Sequence, residues 1–182
     1  MDAEVLLLDR SPERLRSLEA DRRGRLMSVV SSRGLLERLV PSADLVIGAV
    51  LTPGGRAPTL VDETLVEQMR PGSVIVDVAI DQGGCVATSQ ETTHTSPTVS
   101  IHGVQHYAVG NMPGAVPFTS TEALVSVTLP YIIGIAGRGL EEAVTDKPEL
   151  LSGLNTVQGS VCHPGVAKAL GLPPRHPMAC LR

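Results

Sequence analysis

The sequence has almost no aromatic residues: 2% of 182, with no Trp, a single Phe and two Tyr. Stacking platforms for bases or sugars are thereby excluded, and the core has to come from Val, Leu, Ile and Ala. Basic charge is also short, with 15 Lys and Arg against 19 Asp and Glu for a net charge of −4. That balance argues against a phosphate-tracking surface and so against nucleic acid as a partner. Cysteine is scarce and odd in number: Cys85, Cys162 and Cys180 show no CxxC or other metal-ligand spacing. This suits free thiols in a reducing, cytoplasmic compartment, and no metal is expected. No basic n-region precedes an apolar stretch at the N-terminus, so no secretory signal is expected. The longest apolar run, Ala123 to Ala136, is broken by Ser126, Thr128 and Pro130. It falls short of the ~20 residues that span a bilayer, so no membrane is expected.

A hydrophobic fraction of 42% is nevertheless ample for a packed core, since a chain of this size buries roughly 70% of its unfolded surface. Short apolar runs alternate with helical patterns. Val5–Leu8 reads as a strand ended by Asp9, and Ser11-Pro12 as an N-cap with proline at the first helical position. Leu26–Val30 is a second strand, and Leu35, Leu36 and Leu39 mark a helix closed before Pro41. The uncharged run Leu45–Leu51 predicts a parallel strand buried on both faces. A helix through Leu60, Leu65 and Met69 and a strand from Val74 to Ile80 follow. Residues 81–98 read as loop, Val104–Val109 as strand, and about Thr121 to Ala136 as a long helix that Pro130 should kink. Shorter helical pieces fall near Glu141 and at Val166–Leu170. Strands alternating with helices predict βαβ units and a parallel sheet. The division expected is residues 1–120 as a sheet domain and 121–182 as a helical segment.

Three stretches have the makings of a site. An acidic residue ending an early strand of a Rossmann-type sheet binds the adenosine ribose hydroxyls and favours NAD over NADP, and Asp9 is so placed. A plain helix-start carboxylate has the same spacing. A G-x-G-x-x-G loop usually lies about 20 residues upstream of such an acid, and here that position falls before residue 1. The second stretch is Val76-Asp77-Val78-Ala79-Ile80-Asp81-Gln82-Gly83-Gly84. It carries a carboxylate off a buried strand end, where open α/β sheets bind ligands, or else a carboxylate capping a turn. The third is Val109-Gly110-Asn111-Met112-Pro113-Gly114-Ala115-Val116-Pro117, a loop stiffened by two prolines, with Thr119-Ser120-Thr121 as a ready N-cap and possible anion site. His94, His102 and His106 have no partner at a metal-ligand spacing and read as solvated or satisfied. Cys85 has no identifiable basic partner that would make it a nucleophile.

Taken in order, ADLVIGAVL, MRPGSVIVDVAIDQGGC, TTH, HYAVGNMPGAVPFTST and LPYI resemble the alanine dehydrogenase family, relatives of the proton-translocating transhydrogenase alpha subunit. The resemblance runs from about Val5 to about Leu172. It implies an α/β fold: a Rossmann-type doubly wound parallel sheet, here incomplete, followed by C-terminal helices. Its first strand and glycine loop, and the substrate-binding half, would precede residue 1. In the order 3-2-1-4-5-6, Val5–Leu8 would be strand 2 and Leu45–Val50 strand 4, both without their shared neighbour.

The family interconverts L-alanine with pyruvate and ammonia, using NAD. By resemblance Asp9, Arg14, Ser31, Val50 and Leu51 would surround the adenosine. Val78, Ala79, Ile80, Asp81, Val109, Gly110, Asn111 and Met112 would surround the nicotinamide side, with Asp81 as the catalytic aspartate. Departures from the pattern are Ala87, Gln90 and Glu91, where Glu, Arg and Pro are usual, and Gly110 for alanine. The implied reading is the NAD-binding part of an alanine dehydrogenase, truncated or split, with L-alanine and pyruvate as ligands once the other half is supplied. A homo-oligomer, or association with a complementary chain, would follow. The alternatives are a non-catalytic assembly module that pairs with a homologous subunit, and a transhydrogenase alpha-like nucleotide-binding subunit.

Overall fold

A computed structural model describes residues 3–22 and 26–181. Two parallel strands come first, β1 (Leu6–Asp9) and β2 (Met27–Val30), joined through helix α1 (Pro12–Arg22) and paired Leu6 to Met27 through Asp9 to Val30. Ser11 caps α1 as its sequence predicts: its Oγ accepts from the Arg14 N–H at 3.3 Å. Helix α2 (Arg33–Leu39) is capped by Ser32 and runs through a 3-10 turn at Val40–Ser42, where Pro41 ends the regular hydrogen bonding.

The larger sheet has four strands, in the order β3 (Leu45–Gly48), β4 (Val74–Asp77), β6 (Val104–Tyr107), β5 (Thr98–Ile101). β3–β4 and β4–β6 are parallel, while β5 runs antiparallel at the edge. Among the described residues no strand is hydrogen-bonded to both β1 and β3, so the two sheets are separate. The succession of strands and helices is the one the sequence implies.

Helix α3 (Glu63–Glu67) is shorter than its apolar pattern predicts, since Leu60 and Met69 pack on the same core from flanking turns. Val61, Leu65, Val66, Met69, Ile75 and Val104 form the centre of that core, on one face of the sheet. β3 corrects the expectation of a strand buried on both faces: Leu45 and Ile47 are 53% and 62% exposed. It has β4 on one side only, and it stops at Gly48 rather than Leu51.

β4 ends at Asp77 rather than Ile80, and one side chain accounts for this. Asp77 is 0% exposed. Its carboxylate accepts from the backbone N–H of Ala79 at 3.2 Å, of Cys85 at 3.0 Å and of Val86 at 3.1 Å. Turning those amides inward bends the chain into a 3-10 turn over Val78–Gln82, closed by Gly83 and Gly84 at φ 93° and 76°. A Cβ on Gly84 would stand 3.0 Å from the same carboxylate, and one on Gly48 would stand 2.3 Å from the Cys85 sulfur.

Strand β5 begins at Thr98, the last residue of the stretch read as loop, and runs through residues 99–101, to which the sequence assigned no element. His102-Gly103, at φ 53° and 77°, makes the two-residue turn that suits a hairpin. Its strand is short and mostly exposed, which blunts its sequence pattern. Helix α4 (Pro117–Arg138) starts four residues earlier than expected and runs unbroken past Pro130. Proline at N1 sets the start, so Thr119, Ser120 and Thr121 lie inside the first turn rather than capping it, and Val116 at the N-cap makes no side-chain bond. At 22 residues, α4 is long and apolar enough to cross a bilayer by length and composition alone, longer than the interrupted run implied. None of it is buried; Leu124, Val127, Ile132 and Ile133 are all more than half exposed.

Helix α5 (Leu140–Asp146), a 3-10 stretch (Pro148–Gly153), the hairpin β7 (Thr156–Val157) and β8 (Ser160–Val161), and helices α6 (Pro164–Leu170) and α7 (Pro177–Cys180) complete the chain.

Asp77→Asn keeps the volume of the side chain but turns an N–H₂ toward backbone donors. Urea denaturation should show a loss of about 2–3 kcal/mol. Asp62, at the N-cap of α3, accepts from the Thr64 hydroxyl, the Arg33 guanidinium and the Leu65 N–H, which together lower its pKa from 3.8 to about 2. Its stabilisation is therefore fully present above pH 3.8 and is lost as pH falls through 2. Asp62→Asn should flatten the melting-temperature profile across that window alone.

Candidate functional site

In an open parallel sheet, ligands bind beyond the carboxyl ends of the strands. Here those ends belong to β3, β4 and β6. A cleft of about 310 Å³ lies there, lined by Ala49, Val50, Leu51, Val78, Ala79, Asp81 and Gln82. Five of the residues the sequence singles out therefore meet in one place: Val50, Leu51, Val78, Ala79 and Asp81. Leu51 and Val78 are 75% and 44% exposed, an apolar surface open to a flat ring. Ala79 lines the cleft and is buried; Ile80 and Val109 are buried as well and do not line it.

The loop after β6 is fastened to this cleft by a second aspartate contact. The Asn111 N–H donates to Asp81 Oδ1 at 3.1 Å, with Asn111 in the left-handed region at φ 52°. His94, of the TTH string, donates from Nε2 to the Asn111 carbonyl at 3.2 Å. Thr92 bridges the same loop, its N–H donating to the Ala108 carbonyl at 2.9 Å and its carbonyl accepting from the Gly110 N–H at 3.3 Å. Three strings separated in sequence thus converge on Asp81. Met112 flanks this junction, half-buried.

His94, which the sequence reads as solvated or satisfied, is tied to the site through a backbone carbonyl, a partner that leaves no mark in composition or spacing. Gln82 was passed over in the sequence. Its amide pairs both ways with Thr52: Oε1 accepts from the Thr52 N–H at 3.0 Å and Nε2 donates to the Thr52 carbonyl at 3.2 Å. That clamp joins the loop after β3 to the loop after β4, and the DQGG string was its only signal.

Two departures from the family pattern prove to be one. A Cβ on Gly110 would stand 2.2 Å from Glu91 Oε1, so the glutamate carboxylate fills the space an alanine methyl would take.

Asp9, Arg14 and Ser31 gather at the ends of β1 and β2, apart from the cleft lining. Asp9 Oδ1 accepts from the Ser11 N–H at 2.8 Å, its Oδ2 lies 3.3 Å from the Arg14 guanidinium, and its carbonyl accepts from the Ser31 N–H at 2.9 Å. The Ser11 N–H, and after it Arg14, hold the Asp9 carboxyl below its ordinary pKa, so it is an anion at neutral pH.

The remaining candidates separate by environment. His106 is a satisfied core histidine: Nδ1 donates to the Val104 carbonyl at 3.1 Å and Nε2 accepts from the Thr88 hydroxyl at 2.8 Å. His102 gains the carboxylate neighbours that sequence spacing did not reveal, Glu63 at 3.0 Å and Glu67 at 3.8 Å, in an exposed cluster. Cys85 is no nucleophile: burial, and after it the Asp77 charge, push its thiol up to about 12.

A family model described as alanine dehydrogenase/PNT, C-terminal domain, matches residues 1–164. The chain is 51% identical over 175 residues to an alanine dehydrogenase of Lysinibacillus sphaericus, covering 95% of this chain and 47% of that protein. It is 51% identical over 172 residues to the alanine dehydrogenase of Bacillus subtilis, covering 94% and 46%. A solved L-alanine dehydrogenase superposes with a TM-score of 0.78 at 50% identity, covering 93% of this chain and 46% of that one. A solved transhydrogenase from Sinorhizobium meliloti shares the fold, with a TM-score of 0.61 at 22% identity over 89% of this chain and 43% of that one. The chain thus spans about half the length of the relatives it matches. With a matching Rossmann-like sheet and the loops that carry the family's strings, it belongs to the alanine dehydrogenase/PNT family, corresponding to that family's C-terminal domain.

Proposed function

We propose that this chain is the NAD-binding part of an L-alanine dehydrogenase, which converts L-alanine, NAD and water to pyruvate, ammonia and NADH. The observation that carries the reading is the convergence of Asp81, Asn111 and His94 beside an apolar cleft at the strand ends. The donor set fits a dinucleotide. Asp9 presents an anionic carboxylate for two ribose hydroxyls, with Arg14 and Ser31 beside it. Val50, Leu51 and Val78 offer apolar surface, and Ala79, Ile80, Val109, Gly110, Asn111 and Met112 would border the nicotinamide side, with Asn111 bonded to Asp81. NAD supplies the hydride acceptor when bound.

What the chain's own residues contribute is orientation and proton handling. The Asn111 N–H occupies one lone pair of Asp81 and fixes its carboxylate, and the other oxygen is free to face a reacting amine. There it would take up a proton as the amine becomes an iminium and water adds. His94 keeps the Asn111 loop in place, and Gln82 holds the opposite wall. L-alanine and pyruvate would be held by groups outside residues 1–182, in the remainder of the enzyme or in a complementary chain. The unburied apolar side of α4 supports packing against protein, in the rest of such a subunit or in a homo-oligomer, and we place the enzyme in the cytoplasm.

The test separates binding from chemistry in the complete enzyme. Asp81→Asn should leave NADH affinity within about threefold and lower turnover by 10²–10⁴-fold; normal turnover would remove Asp81 from the mechanism. Asp9→Ala should weaken NADH binding by roughly 10–100-fold in calorimetric titration, with turnover at saturating cofactor little changed. NADH binding unaltered by Asp9→Ala would remove Asp9 from the nucleotide site, whereas no NADH binding by the parent protein would favour an assembly module.

A further inference from the structure

The C-terminal segment holds a pair of cysteines that the proposed reaction does not use. Cys162 follows β8; its N–H donates to the Asn155 carbonyl at 2.8 Å, and its thiol lies 3.5 Å from the Ser160 carbonyl. Cys180 ends α7. The two are 4% and 6% exposed and pack in one small cluster with Val157, flanked by Leu154 and Leu181. The cluster brings the two side chains into the same small buried space, and both thiols are free. A second, larger cleft of about 520 Å³ is lined by Cys162 together with His163, Arg175 and His176, so Cys162 borders open space and Cys180 does not line it.

We propose that Cys162 and Cys180 are a modification site, a dithiol that closes to a disulfide by exchange with a low-molecular-weight disulfide such as oxidised glutathione. Cys162 reacts first because it borders the cleft. Its thiol gives its proton to water, and the thiolate sulfur attacks one sulfur of the oxidant. The oxidant's S–S bond breaks and the departing thiolate takes up a proton. Cys180, deprotonated in turn, attacks the Cys162 sulfur of the mixed disulfide and displaces the second thiol. Two protein thiols are oxidised and one small disulfide is reduced to two thiols. Burial, and then the neighbouring Cys180, hold the Cys162 thiol above its ordinary pKa, so exchange is slow and rises with pH.

The cross-link would tie α7 to the β7–β8 hairpin. Next in the chain is His163, whose Nδ1 accepts from the Gly165 N–H at 3.1 Å to start α6. Its ring packs so close to Gly54 that a Cβ there would stand 2.3 Å from Cε1. Gly54 belongs to the loop that Gln82 clamps through Thr52, so the disulfide would stiffen a wall of the candidate cofactor cleft from outside.

The experiment equilibrates the intact protein with excess oxidised glutathione and maps the peptides without reduction. A peptide pair linking Cys162 to Cys180 is expected, with Cys85 free, an intact mass lower by two hydrogens, and a melting temperature raised by roughly 5–10 °C and restored by reductant. Cys180→Ser should abolish both the linked peptide and the shift, leaving a glutathione adduct on Cys162. Free thiols at both positions, separate glutathione adducts on each in the parent protein, or a link through Cys85 would overturn the proposal. The peptide map reads the parent protein directly, so the result stands whether or not the variant folds.

Discussion

The fold of this chain turns on a buried carboxylate. Asp77 ends the second strand of the larger sheet with no exposure to solvent and three backbone N–H groups turned toward it. A carboxylate buried without donors would be expelled or protonated, so the loop from Val78 to Val86 has to wrap around it. That wrapping ends the strand, demands glycine at the left-handed position 84, brings Cys85 against Gly48, and delivers Asp81 to the rim of the cleft. The exposed aspartate proposed for chemistry is where it is because a hidden one is satisfied.

The site is then assembled by contacts between loops rather than by the strands. Gln82 sews the loop after β3 to the loop after β4, and Asn111 sews the loop after β6 to Asp81. Both bonds involve backbone on one side, so they fix position without demanding a particular side chain from the partner. At Gly110 the Glu91 carboxylate occupies the volume that a Cβ would take.

Two surfaces remain open. β1 and β3 have no shared strand among the described residues, and α4 has no buried residue. Edges and apolar faces of this extent call for a cover. The chain spans about half of the relatives it matches, 46–47% of their length.

Much of the fold was legible in the sequence because strand and helix periods, proline and capping residues are local signals. The Ser11 cap, the parallel pairing of β1 with β2 and β3 with β4, and the motif strings are of that kind. What the sequence could not carry depends on pairs of distant residues. Asp77 and Asp81 look alike in VDVAIDQGG, and only burial separates the structural carboxylate from the exposed one. Strand β5 is short and exposed, so its alternation is weak, and only its hairpin with β6 makes it a strand. β3 reads as a doubly buried strand, yet exposure is set by its neighbours, and it has one. His94, Gln82 and the Cys162–Cys180 pair acquire meaning only when tertiary contacts supply a carbonyl, a backbone turn and a second thiol. The sequence by itself determined the order of elements and the chemistry available; the tertiary structure alone decided which of those groups face solvent and which face one another, because burial and hydrogen bonding belong to pairs of residues brought together in space.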